Sequence, residues 1–169
     1  LLRTWGFDMD KQFQHIVCDP DKCTACEDCV LACSATKHQV FDPALSRIRN
    51  VRIEPAVCIS VACRACSDPP CVLACPRNAL SQNLDKGTII VDQDLCDGCG
   101  WCIEACEFGA ILLNPTTKKV EMCDLCADKD EPQCVKFCQK GALTVSYPEI
   151  LAQKTRREVV TKLLQELVK

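Results

Sequence analysis

Sixteen of the chain's 18 cysteines fall into four quartets. Cys23, Cys26, Cys29 and Cys33 run C-x2-C-x2-C-x3-C, and Cys96, Cys99, Cys102 and Cys106 repeat that run 73 positions later. Cys63, Cys66, Cys71 and Cys75 read C-x2-C-x4-C-x3-C, while Cys123, Cys126, Cys134 and Cys138 read C-x2-C-x7-C-x3-C. Three thiolates within seven residues wrap one corner of a cubic iron–sulfur cluster. The fourth points away on the next turn of chain, and in chains with two such cubes it ligates the other one. Paired C-x2-C motifs also hold structural zinc, but triple runs such as Cys96, Cys99 and Cys102 exceed what tetrahedral pairs need. At four ligands each, the quartets predict four 4Fe-4S clusters.

The elements that position these cysteines are themselves duplicated. Ile16-Val17-Cys18-Asp19 leads into the first quartet as Ile89-Ile90-Val91-Asp92 leads into the third, so a short β-branched strand enters each cluster loop. Asp68-Pro69-Pro70-Cys71 and Ala79-Leu80 correspond to Glu131-Pro132-Gln133-Cys134 and Ala142-Leu143. Phe41-Asp42-Pro43 and Leu113-Asn114-Pro115 are matching turns, followed by the alternating segments Arg47-Ile48-Arg49 and Lys119-Val120-Glu121, which suggest hairpin strands. Residues 16–80 and 89–143 are therefore two repeats, joined by residues 81–88 with a turn at Asp85-Lys86-Gly87. The first carries an insert over roughly Val51 to Ala62. The repeat leaves Cys18, opposite Val91, as an ordinary buried thiol, and places Cys58 in the insert. Cys58 has no counterpart and is not expected to be a ligand, although it lies near enough to Cys63 to substitute in an alternative arrangement.

Composition supports metal as the glue. The apolar share of 48% counts every cysteine, and aromatic residues are 5%. Small domains with so little conventional core are held by disulfides or metals. No secretory signal is visible and no run of 18 apolar residues occurs, so the expectation is a soluble cytoplasmic protein without a membrane span. The formal charge of −3 becomes more negative once cubes of about −2 each are counted, which speaks against nucleic acid as a partner. There is no Gly-rich phosphate loop, and neither His15 nor His38 has a nucleophile or carboxylate setting, so the chain reads as non-catalytic. His38 reads as a hydrogen-bonding turn residue, and Asp97, Glu104 and Glu107 as solvated or sulfur-tuning. Residues 1–15, with Trp5, Phe7 and Phe13, form either an arm lying on a partner or an ordered edge of the domain. Residues 149–169 lack Cys and Gly and carry a helical stripe of Val159, Val160, Leu163, Leu164, Leu167 and Val168. That amphipathic helix packs on its own domain or docks on a partner subunit.

The span from Cys23 to Cys138 resembles the four-cluster, ferredoxin-like electron-transfer subunits found with molybdenum and tungsten oxidoreductases, hydrogenases and carbon monoxide dehydrogenase. The resemblance implies an α+β fold of tandem bacterial-ferredoxin-like repeats, with short hairpins and short helices around four cubane clusters and a C-terminal helix. It also implies nested ligand exchange. Cys23, Cys26 and Cys29 would share a cube with Cys138, and Cys33 would complete that of Cys123, Cys126 and Cys134. Cys63, Cys66 and Cys71 would take Cys106, and Cys75 would complete that of Cys96, Cys99 and Cys102. Only Cys75-Pro76 keeps the Cys-Pro ending common in ferredoxin quartets; its absence elsewhere loosens backbone geometry without removing a ligand. The segment Cys33-Ser34, His38, Val40-Phe41, Pro43, Ser46-Arg47-Ile48 looks like the subgroup that accompanies tungsten enzymes of the aldehyde ferredoxin oxidoreductase type, including benzoyl-CoA reductase, and carbon monoxide dehydrogenase. By that resemblance the partners are a catalytic tungsten or molybdenum pterin subunit and a further flavin or electron-carrier subunit. Two other roles stay open: a free polyferredoxin, or the electron-transfer subunit of a carbon monoxide dehydrogenase, hydrogenase or formate dehydrogenase.

Overall fold

The computed structural model describes residues 13–53 and 57–167. Within them the α+β expectation is met by four two-stranded antiparallel sheets, short helices and a long C-terminal helix. Strand β1 (His15–Cys18) enters the first cysteine loop and helix α1 (Asp28–His38) leaves it. After a 3-10 turn at Pro43–Leu45, β2 (Arg49–Ile53) and β3 (Val57–Val61) form a hairpin, so the insert supplies most of a two-stranded sheet. Helix α2 (Pro70–Leu73) and β4 (Leu80–Gln82) complete the first repeat. The second runs through β5 (Ile89–Val91), α3 (Trp101–Ala105), β6 (Leu112–Leu113), β7 (Val120–Glu121), α4 (Gln133–Lys136) and β8 (Leu143–Ser146).

The repeats exchange partners in space. Entry strand β5 pairs with exit strand β4 of the first repeat, and entry strand β1 pairs with β8, the exit strand of the second. Equivalent bonds extend both ladders: Asp92 N donates to Ala79 O at 2.8 Å, and Asp19 N donates to Ala142 O at 2.8 Å. The packing follows this exchange, with α1 against α4 and α2 against α3. One core gathers Ile16, Cys29, Val30, Cys33, Ile48, Ala62, Cys123, Cys134 and Leu143. The other gathers Cys71, Leu80, Ile89, Cys102, Ile111, Val120 and Met122. Each core thus joins parts of both sequence repeats, and Cys63 packs against the two of them.

Most of the proposed N-terminal arm, residues 1–12, lies outside the described residues. Phe13 is buried against the backbone of Gly87, in the turn expected at Asp85-Lys86-Gly87. With Gly87 at φ +72° and a Cβ there running into the Phe13 ring, only glycine suits this turn. Helix α5 (Pro148–Leu167) forms where the sequence places it. Its Val159, Val160, Leu163 and Leu164 are exposed, so that stripe does not pack on the chain's own domain. Among the described residues, no helix is long and apolar enough to cross a membrane.

Candidate metal centre

A common backbone device shapes the four C-x2-C loops. The residue before the second cysteine is left-handed in each: Ala25 at φ 50°, Ala65 at 47°, Gly98 at 71° and Leu125 at 57°. That reversal turns the two thiols of the loop toward one side of the chain. Non-glycine residues occupy this region at a cost of about 1–2 kcal/mol, so surrounding structure must hold three of the four in place. In the third quartet glycine is required on steric grounds too, because a Cβ on Gly98 would overlap Lys118 O. Asp97 and Asp124 brace their loops by accepting from Cys99 N (3.3 Å) and Cys126 N (3.1 Å). The Cys99 thiol foremost, then its backbone N–H and an ion pair to Arg77 at 3.1 Å, lower the Asp97 carboxyl below its usual range.

The last cysteine of each quartet sits in one of two settings. After Cys75, Cys106 and Cys138, the third following residue is left-handed: Asn78, Gly109 and Gly141. The next backbone N–H then donates to the thiol sulfur, from Ala79 to Cys75 (3.3 Å), Ala110 to Cys106 (3.5 Å) and Ala142 to Cys138 (3.3 Å). This turn forms after Cys75-Pro76 and after Cys106-Glu107 and Cys138-Gln139 alike, so the proline is dispensable to it. Cys33 differs because Thr36 occupies the third position. A β-branched residue resists the left-handed region, and α1 runs on to a left-handed cap at Gln39. Cys33 Sγ accepts from Arg47 N at 3.4 Å instead.

Continuing α1 brings its basic last turn, Lys37 and His38, against the second repeat. Lys37 Nζ lies 2.8 Å from both Asp124 Oδ2 and Asp128 Oδ1. His38 Nε2 lies 3.0 Å from Glu121 Oε2, which also accepts from Arg47 Nε at 3.1 Å, while Glu121 Oε1 accepts from Asn114 Nδ2 at 2.7 Å. Burial opposes the Glu121 charge, but Asn114, Arg47 and His38 outweigh it and leave its carboxyl lowered. His38 is thus a hydrogen-bonding residue at a helix end, and the expectation that it lacks a carboxylate setting is corrected, because tertiary packing brings Glu121 to it from 83 residues away.

The cysteines collect across the quartets. Cys23, Cys26, Cys29 and Cys138 line one small pocket. Cys75, Cys96, Cys99 and Cys102 line another. Cys63, Cys66, Cys71 and Cys106 line a wider cleft. Cys33, Cys123, Cys126 and Cys134 are all buried, and Cys134 lies within electrostatic reach of the other three. We call these groups sites I, IV, III and II respectively. Among the described residues no three His, Cys, Asp or Glu converge tightly enough for a single ion. At sites I, III and IV the thiols instead surround spaces, as a multi-iron cube needs and one tetrahedral zinc does not.

Charge accounts for the same fit. Burial pushes the Cys71 and Cys123 thiols up to about 12 and raises Cys134 further. Such groups become thiolates only against a strong local cation, which ligation by iron supplies with release of protons. Cys18 lies in β1, half-buried rather than fully buried, with its thiol pushed up to about 11 by burial. Cys58 lies in β3 opposite Arg52. Three contacts at site I, from two residues, were not apparent from the sequence: Ser60 Oγ lies 3.6 Å from Cys29 Sγ and 3.8 Å from Cys23 Sγ, and Asn50 Oδ1 lies 3.5 Å from Cys29 Sγ.

Comparison with known proteins agrees with this chemistry. Residues 56–147, just over half the chain, match the family described as 4Fe-4S dicluster domain. The chain is 38% identical over 127 residues to the aliphatic sulfonate oxidoreductase, polyferredoxin-like subunit, of Pyrococcus furiosus, covering 75% of this chain and 72% of that one. It is 34% identical over 158 residues to an uncharacterized ferredoxin of Methanocaldococcus jannaschii, covering 91% and 95%. A solved active-site complex of benzoyl coenzyme A reductase with 1,5-dienoyl-CoA aligns at 27% identity over 81% of this chain and 77% of that one. The TM-score is 0.49. The chain therefore belongs to the 4Fe-4S dicluster domain family of iron–sulfur electron-transfer proteins.

Proposed function

We propose that the chain is the electron-relay subunit of a multi-subunit oxidoreductase and that sites I to IV each hold one 4Fe-4S cluster. Cys23, Cys26, Cys29 and Cys138 are the ligands at site I; Cys33, Cys123, Cys126 and Cys134 at site II. Cys63, Cys66, Cys71 and Cys106 serve site III, and Cys75, Cys96, Cys99 and Cys102 serve site IV. The observation that carries this reading is the pooling of cysteines from distant quartets around three common cavities. Each cube supplies one-electron oxidation and reduction; the chain's residues fix the order of the sites and their exposure. Site I adjoins site II through Cys29 and Cys134, and site II adjoins site III through Cys123 and Cys63. Site III shares a core with site IV through Cys71 and Cys102. The sites form a row, and its two ends hold Cys26 and Cys99, the two exposed cysteines. Electrons enter at one end and leave at the other.

The catalytic partner is a tungsten or molybdenum pterin enzyme, nearest the aldehyde oxidoreductase or benzoyl-CoA reductase type, and an external carrier or flavin subunit serves the far end. Support comes from the Cys33-Ser34 to Ile48 segment, from the Pyrococcus relative's description as an oxidoreductase subunit, and from the exposed stripe of α5. Anaerobic purification with native partners tests both halves of the reading. About sixteen irons and sixteen sulfides per chain, together with a copurifying tungsten or molybdenum subunit, are expected. Zinc without sulfide overturns the cluster assignment, and a lone monomer that shuttles electrons with its native partners present overturns the subunit role.

A further inference from the structure

Sites I and IV occupy equivalent places in the two repeats, yet their walls differ. Both sites have a leucine wall, Leu80 at site IV and Leu143 at site I, and site IV is otherwise closed by Val120, with the exposed Arg77–Asp97 ion pair at its rim. Site I is closed by Asn50 and Ser60, which the insert hairpin places directly opposite each other on β2 and β3. Ser60 is 6% exposed. Its hydroxyl donates to Asn50 Oδ1 at 2.8 Å, while Asn50 Nδ2 is buried without a hydrogen-bond partner.

This arrangement suits a protonated Cys29, whose thiol donates to Asn50 Oδ1 at 3.5 Å. A ligating thiolate has no proton to give. Rotating the Asn50 amide by 180°, which exchanges two nearly indistinguishable atoms, reverses the contact. Nδ2 then faces Cys29 Sγ and Ser60 Oγ, the orphaned donor gains acceptors, and the Ser60 proton is free for the sulfur of Cys29 or Cys23. Two donors converge on ligand sulfur where the thiol form has none.

Hydrogen bonds to cluster sulfur stabilise the more negative, reduced state and so raise the potential. We propose that Asn50 and Ser60 are positioning residues that donate to the ligand sulfurs of site I and raise its reduction potential. They make the end of the row bearing Cys26 a better electron acceptor than its ligands alone would. The inference rests on the ligand assignment proposed for site I.

The test is a redox titration of the full-length, cluster-loaded protein, followed by electron paramagnetic resonance, for wild type, Ser60→Ala, Asn50→Leu and Ser60→Thr. In both deletion variants one of the four reducible components is expected to move to lower potential while three stay in place. The expected change in its reduction equilibrium is about tenfold, or 59 mV for one electron. Ser60→Thr keeps the hydroxyl and the wild-type curve. Deletion variants that titrate as wild type, a common drift of all components, or loss of iron from either variant overturns the proposal. A wild type with sixteen irons and an unmoved Ser60→Ala curve loses this inference and keeps the ligand reading; a wild type without four cubes loses both.

Discussion

The two repeats carry corresponding quartets in the same order, identical in spacing in the first of each and differing only by a longer loop in the second, but they surround their end sites differently. In the first, α1 runs 11 residues and a hairpin of two five-residue strands brings Asn50 and Ser60 to site I. In the second, α3 stops after 5 residues and two-residue strands place the aliphatic Val120 at site IV, with no hydroxyl or amide side chain in its lining. Ligand geometry is duplicated while the surroundings have diverged. Since hydrogen bonding, charge and exposure set potentials across roughly −700 to +450 mV, divergence around identical ligands gives a row of cubes an unequal set of potentials.

The largest effect should come from the cysteines themselves. Cys29→Ser should remove one cube, about four of sixteen irons, whereas Cys18→Ala on the adjoining strand should leave the iron content unchanged. Iron lost with Cys18→Ala would break the equivalence of Cys18 with Val91. Next come the paired left-handed positions. Gly98→Ala adds about 1–2 kcal/mol of backbone cost to an overlap with Lys118 O and should empty site IV. Ala25→Gly, at the matching place in the first repeat, should keep all four cubes, because Gly enters the left-handed region without the Cβ penalty. Iron analysis and thermal melts of the two variants compare the loops directly, and equal losses would erase the distinction.

A smaller effect concerns the contacts that lock α1 to the second repeat. Glu121→Leu leaves Arg47, His38 and Asn114 without their shared acceptor and should cost about 1–3 kcal/mol, read as a lower unfolding midpoint with iron retained. The smallest involves His15, fully buried in β1. Burial, helped by Arg64, outweighs a backbone contact at Phe13 and lowers its pKa below the usual histidine value. The unfolded chain binds that proton more readily, so the stability from neutral His15 is complete above about 6.5 and is lost as pH falls through the lowered folded value. Thermal melts from pH 7.5 to about 5.5 should fall more steeply for wild type than for His15→Leu; parallel slopes would count against it.

Spacing sorted the thiols into quartets and repeats, since a C-x2-C loop is local and the 73-residue offset makes the two repeats visible, whereas their grouping across quartets came from the family resemblance. Thr36, standing where Asn78, Gly109 and Gly141 stand, marks in the sequence the one quartet whose helix continues. The surroundings of site I were not legible. Ser60 reaches Cys29 across 31 residues, and only through the register of β2 with β3. Lys37 finds Asp124 and Asp128 across 87 and 91 residues. Such pairings depend on tertiary closure, and neither hydrophobic period nor motif spacing records them. The α5 stripe shows the converse: its pattern was legible, but periodicity does not say what covers it.

The exchanged pairing of entry and exit strands also orders biogenesis. As the chain leaves the ribosome, every residue of the core from Cys71 to Met122 is available before any residue from Cys123 to Leu143 has been made. The inner unit is therefore free to fold first, while β1 and the apolar side chains of Ile16, Val30 and Ile48 wait for β8 and α4. Contacts of such sequence separation form late and leave apolar surface open in the interval. Truncation before β8 is expected to leave β1 without its pairing partner while the inner unit keeps its own β4–β5 ladder.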